Sequence, residues 1–105
     1  DPVAPPNVLH HIGHGYYLMG DLKKAEEYVA RAIRMAPTFP PARIIMSAIL
    51  VESDRIDEAK EQIADLLAID SKYNIQRFVE RYPYFESEHR RRTESALTAA
   101  GLSRS

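Results

Sequence analysis

Two stretches of the chain repeat one another at a fixed step. Gly20-Asp21-Leu22-Lys23-Lys24-Ala25-Glu26-Glu27 is matched by Asp54-Arg55-Ile56-Asp57-Glu58-Ala59-Lys60-Glu61, and Ala25 and Ala59 stand 34 residues apart. A step of this length holds one pair of helices with its turns. Such a unit cannot bury its apolar face alone, so the repeat predicts a stack of helical hairpins sharing one core.

Periodicity agrees. Leu9, Ile12, Gly13 and Tyr16 fall at helical spacing, as do Leu22, Ala25, Val29, Ala32 and Ile33. Ile45, Met46, Ile49 and Leu50 continue the pattern, then Ile56, Ala59, Ile63, Leu66 and Leu67. No run alternates with period two over a useful length, so strands are not expected. Breakers divide the helices. Asn7 reads as an N-cap after Pro5-Pro6, and Gly20-Asp21 ends the first helix and caps the second. Pro37 and Pro40-Pro41 read as the stop of the second helix. Ser53-Asp54 separates the third from the fourth, and Asp70-Ser71 ends the fourth. Pro83 divides the remainder into a short helix near Tyr73–Tyr82 and a longer one near Ser87–Ala100. Gly101-Leu102 reads as a C-terminal glycine with its apolar follower.

The first unit carries Leu9-x-x-Ile12-Gly13-x-x-Tyr16, then Ala25-x-x-x-Val29, Ala32 and Pro37. Gly13 and Ala25 are small where the two helices are expected to cross closely, and Tyr16 supplies bulk beside them. The second unit is degenerate but in register: Arg43 replaces Leu9, Ser47 replaces Gly13, Leu50 replaces Tyr16, and Ala59 and Ile63 keep the second half. Spacing and residue types together resemble the tetratricopeptide repeat. The resemblance implies an all-α fold: antiparallel helical hairpins, about six helices, forming a fragment of a right-handed α-superhelix with C-terminal capping helices. One domain over 1–105 is expected, with repeat 1 at about 6–39, repeat 2 at about 40–73 and capping helices at about 74–102.

Arg77-Phe78-Val79-Glu80-Arg81-Tyr82-Pro83-Tyr84 and Leu97-Thr98-Ala99-Ala100-Gly101-Leu102 are similar to the closing phrases of C-terminal tetratricopeptide regions in bacterial class III adenylate/guanylate cyclase-like proteins. That resemblance implies a larger signalling or regulatory protein, of which this chain is a non-catalytic part. The start at Asp1-Pro2 fits a fragment.

Composition excludes several classes. The net charge is −1, against the basic excess of a dedicated nucleic-acid or membrane-surface binder. There is no cysteine, which removes disulfides, thiol catalysis and cysteine-ligated metals and fits a reducing cytoplasm, the expected location. Apolar runs are too short to span a membrane. No cofactor is expected.

His10, His11 and His14 cluster at i,i+3 and i,i+4 spacing, which can chelate zinc. The glutamate of the zincin motif is missing, so a metal is not the expectation. Glu26, Glu27, Asp57, Glu58, Glu61 and Asp65 read as a solvated face, as does Arg90-Arg91-Arg92. Tyr82-Pro83-Tyr84-Phe85 reads as a turn folding the last helix back. Stacked hairpins curve and line a concave face with their first helices. By register that face holds His10, His14, Tyr17 and Leu18 from the first repeat, and Ile44, Ala48, Val51 and Glu52 from the second. Relatives that capture a peptide carboxylate use lysine, asparagine or arginine there, which are lacking here. The expected partner is therefore protein, as an apolar helix or a segment of the same polypeptide, with a homodimer as one form. The alternative is a small-ligand sensor using His10, His14 and Tyr17.

Overall fold

Three turns share one piece of chemistry. Gly20, Asp54 and Gly101 all take the left-handed backbone, with φ of 87°, 61° and 100°. In each, the next amide donates back to the carbonyl five residues before it: Asp21 to Tyr16 at 2.9 Å, Arg55 to Leu50 at 2.9 Å, Leu102 to Leu97 at 3.1 Å. This is the Schellman motif, and it satisfies carbonyls that a helix end leaves without partners.

The computed structural model describes residues 4–84 and 86–105. These form α1 (Pro6–Met19), α2 (Leu22–Met35), α3 (Pro40–Glu52), α4 (Ile56–Ile69), α5 (Ile75–Arg81) and α6 (Ser87–Ala99). No strand occurs among the described residues. The expected boundaries hold with two corrections. Asn7 is not a cap: Pro5 takes that position and Pro6 opens α1, because proline lacks the N–H that a first turn leaves unpaired. Pro40-Pro41 does not stop α2, which ends at Met35; it starts α3 for the same reason. Asp21 and Asn74 do cap, accepting from Lys24 N at 3.1 Å and Arg77 N at 2.8 Å.

The helices pair as α1 with α2 and α3 with α4, and the pairs stack through α3. Apolar residues surround α3, and Pro41, Ala42 and every residue from Ile44 to Leu50 are buried, as expected of a helix enclosed on all sides. Gly13 sets the α1–α2 crossing. A Cβ there would overlap Val29 Cγ2 and come within 3.1 Å of the Ala25 carbonyl oxygen. Tyr16 does not fill the same gap; it lies half-buried and stacked on Tyr28 at 5.6 Å. Ile12 is 38% exposed, so its place in the repeat pattern does not make it core here. Arg43, at the register of Leu9, donates to the Pro37 carbonyl and to Gln62 Oε1 at 3.0 Å, tying the inter-repeat loop to α4.

Asn74 stands one period after Pro40, so α5 is in register as a shortened third first-helix. It stops at Arg81, two residues before Pro83. Instead of extending the stack, α6 turns back and packs on α3. The tail closes the arrangement: Ile75 N and Gln76 N donate to the Ser103 and Arg104 carbonyls at 2.9 and 3.0 Å. No described helix is long and apolar enough to cross a membrane.

Candidate interaction groove

The first helices of the two pairs put one face side by side, with His10, His14 and Tyr17 from α1 and Ile44, Ala48, Val51 and Glu52 from α3. The two helices pack on each other, and Tyr17 of α1 reaches Glu52 of α3. These residues are not left open. His10, Tyr17, Ile44 and Ala48 have no exposed surface, His14 is buried, and Leu18, Val51 and Glu52 are only partly exposed. What covers this face is α6 and the Tyr82–Tyr84 segment of the same chain.

Arg92 holds that cover in place. Its Nε donates to both Glu52 carboxylate oxygens at 2.9 and 3.0 Å. Nη2 donates to the Tyr17 carbonyl at 2.8 Å and Nη1 to the Leu18 carbonyl at 3.3 Å. These carbonyls belong to the last turn of α1, where a cation is favoured. The guanidinium also lies 4.3 Å from the Tyr17 ring centroid. The Tyr17 hydroxyl donates to Glu52 Oε2 at 2.5 Å, and burial with this carboxylate acceptor pushes the phenol pKa above its ordinary range. A planar fork can satisfy all of these acceptors together; an ammonium cannot. The sequence reading placed Arg92 on a solvated face. The signal that finds it is spacing: Arg92 stands four residues before Ala96 and beside Thr93, on the buried stripe of α6.

The histidines form the other wall. His14 Nε2 and the Tyr84 hydroxyl share a hydrogen bond of 2.8 Å. His10 sits in an aromatic box, edge-on to Phe39 and Tyr82 with centroids at 5.6 and 5.5 Å. Among the described residues, neither of its ring nitrogens has a hydrogen-bond partner. Burial first, then the neighbouring imidazoles, lower the His10 pKa to about 3 and the His14 pKa to about 4. Both are therefore neutral at pH 7. No group of three His, Asp or Glu able to hold a metal occurs among the described residues. An opening of about 380 Å³ remains beside this wall, lined in part by His11, His14, Tyr82, Tyr84 and His89. Phe85, part of the expected aromatic turn, lies outside the described residues.

The carboxylates read as a solvated face are partly engaged. Arg55 bridges the two repeats, donating to Glu26 at 2.8 Å and to Glu58 at 2.7 Å. Arg43 reaches Asp65 at 3.4 Å, while Glu27, Asp57 and Glu61 are exposed.

A tetratricopeptide repeat family model matches residues 16–79, more than half of the chain. The chain belongs to the tetratricopeptide repeat family. No curated protein and no solved structure matches it. Tetratricopeptide repeats are protein–protein interaction modules. In this one the match runs from the last turn of α1 into α5 and stops before the Tyr82–Tyr84 segment and α6. The elements that fill the groove thus lie outside the part shared with the family.

Proposed function

We propose that this tetratricopeptide repeat chain is an interaction and oligomerisation module whose groove takes an arginine-bearing helix, with its own α6 as the resident helix. The single observation that carries this is the Arg92 anchor on Glu52 and on the Tyr17 and Leu18 carbonyls. A partner helix with an arginine followed by small and apolar residues four and five positions later presents the same chemistry as Arg92, Ala96 and Leu97. Such a helix competes with α6 for one site, so occupancy by a partner frees the C-terminal segment. The acid and base groups along the groove are engaged in packing and in holding α6, which favours binding over catalysis. The resemblance of 77–84 and 97–102 to cyclase-like C-terminal regions supports a place in a larger bacterial signalling protein.

A labelled peptide of residues 86–105 tests this by fluorescence polarisation against the intact chain and its Arg92→Ala variant. The peptide is expected to bind the variant in the micromolar range and the intact chain at least tenfold more weakly. A peptide with the same arginine replaced by alanine is expected to bind neither. A folded Arg92→Ala chain that ignores the peptide would sink the proposal.

A second reading, small-ligand sensing, rests on the opening beside His11, His14, Tyr84 and His89. Its test is a metabolite panel read by thermal shift: stabilisation abolished by His14→Phe supports it, and no stabilisation by any member removes it.

A further inference from the structure

All four histidines of the chain meet at one seam. His10, His11 and His14 come from α1, and His89 comes from α6. The His10 ring centroid stands 5.1 Å from that of His11 and 5.9 Å from that of His14. His11, His14 and His89 line the same opening. This seam is where the C-terminal part of the chain rests on the first hairpin.

That part is one block. The Ser103 and Arg104 carbonyls of the tail accept from the first amides of α5, and α5 packs on α6. The block of α5, the Tyr82–Tyr84 segment, α6 and the tail is thus closed on itself, and it covers the groove as a unit. Arg92 pins it at one end, on Glu52 and the last turn of α1. At the other end it is held by uncharged contacts. His10 meets Tyr82 at 5.5 Å, and His14 meets Phe78 at 6.2 Å and shares its hydrogen bond with Tyr84.

Nothing at that end receives a charged imidazole. From α1, His11 and Tyr17 face the two rings, and Phe39 faces His10 from the loop before α3. From the covering block come Phe78 on α5, then Tyr82 and Tyr84, and His89 on α6. The formal charges around them are engaged or of the wrong sign. Glu52 is held by Arg92 and Tyr17, Glu86 lies 3.8 Å from His89, and Arg81 at the opening is itself a cation. Among the described residues, neither His10 nor His14 pairs with a carboxylate. A protonated imidazole carries two N–H donors, and burying them without acceptors costs their full desolvation. In water the same ring takes up a proton near pH 6.5. Cover and charge therefore exclude one another.

We infer that acid opens this chain: protonation of His10 and His14 expels the covering block from the groove while the two hairpins stay folded. Helices α2 to α4 contain no histidine, so their own contacts do not change over the same range. This deepens the proposed function by naming what empties the groove, and rests on that reading for what then enters it. Both rings are neutral when covered, with pKa values lowered to about 3 and about 4, and return to about 6.5 when released. Opening takes up protons and is favoured as pH falls below about 6.5. Between pH 7.5 and 5.5 each histidine raises the opening constant about tenfold, and the two together about 100-fold.

Amide hydrogen exchange of the full chain, followed by NMR at these two pH values and divided by the rate of an unstructured chain at each, tests it. Protection of the Thr93, Ala96 and Leu97 amides on α6 is expected to fall about 100-fold, while Ala59 and Ile63 on α4 keep theirs. His10→Phe and His14→Phe should each cut the fall to about tenfold, and the double variant should abolish it, with circular dichroism checking that each is folded. The ring protons of His10 and His14 in the intact chain give a readout that needs no variant. Their titration while α6 keeps its full protection would overturn the inference. So would α6 protection equal at both pH values, a loss on α4 in step with α6, or a fall that the folded histidine variants share. If α6 stays closed in acid while the 86–105 peptide binds Arg92→Ala, the acid response is removed and the groove reading stands. Acid opening of α6 with a peptide that ignores Arg92→Ala supports the response and removes the groove reading.

Discussion

Gly20 and Asp54 occupy the same left-handed position one repeat period apart, and only Gly20 does so without a Cβ penalty. Asp tolerates this conformation better than most residues but still at a cost. Asp54 is exposed, and among the described residues its side chain makes no hydrogen bond or ion pair that offsets it. Asp54→Gly is expected to stabilise the chain by about 1 kcal/mol, read as a rise in the urea midpoint at unchanged m-value. An equal or lower midpoint would contradict this account of the second turn.

Gly13 and Gly15 lie two residues apart on α1 and should respond to alanine in opposite directions. A Cβ at Gly15 would meet nothing within 4 Å, and glycine inside a helix destabilises it relative to alanine. Gly13→Ala forces a methyl onto Val29 and the α2 backbone, and overpacking of this kind costs about 1–3 kcal/mol. Thermal unfolding of the two variants side by side checks it. Gly13→Ala at or above the parent melting temperature would show that α1 and α2 can separate freely.

Neutral, buried histidines couple stability to pH. The pKa values of His10 and His14 fall to about 3 and about 4 in the folded state, against about 6.5 when unfolded. The unfolded chain therefore takes up protons first as pH drops. Their contribution is complete above about pH 6.5 and is lost progressively below it, by about 2 kcal/mol for His10 at pH 5. His10→Phe removes one titrating group and two unpartnered nitrogens. Its stability relative to the parent is expected to be larger at pH 5 than at pH 7, measured by urea unfolding at both. A pH-independent difference would mean that His10 is not buried neutral.

Arg92 acts through shape as well as charge. Arg92→Lys keeps the cation but cannot reach Glu52 and both α1 carbonyls at once, so a loss of about 1–2 kcal/mol is expected. A double-mutant cycle of Arg92→Ala with Glu52→Gln should give a coupling energy of about 1 kcal/mol or more. Additive effects would detach α6 from this anchor.

Much of the fold was legible because its causes are local. The capping Asp21 and the turn glycines Gly20 and Gly101 act within a few residues of themselves. Gly13 and Ala25 reveal the crossing because one hairpin brings them together. The boundaries that failed, at Asn7 and Pro40-Pro41, failed where proline can either end a helix or begin one, and only the neighbouring geometry chooses. The register assigns the groove residues to one face, but their burial is not legible in it. Burial of His10 and Tyr17 depends on Tyr82, Tyr84 and Arg92, which arrive from far along the chain.

By itself, then, the sequence determined six helices, their turns and the stacking of two hairpins, since each depends on spacing within one 34-residue period. Tertiary structure alone decided that the groove is closed from within. That outcome rests on contacts such as His14 with Tyr84 and Tyr17 with Arg92, separated by 70 and 75 residues. No periodicity encodes such pairs, because each joins a residue of the first repeat to one beyond the second.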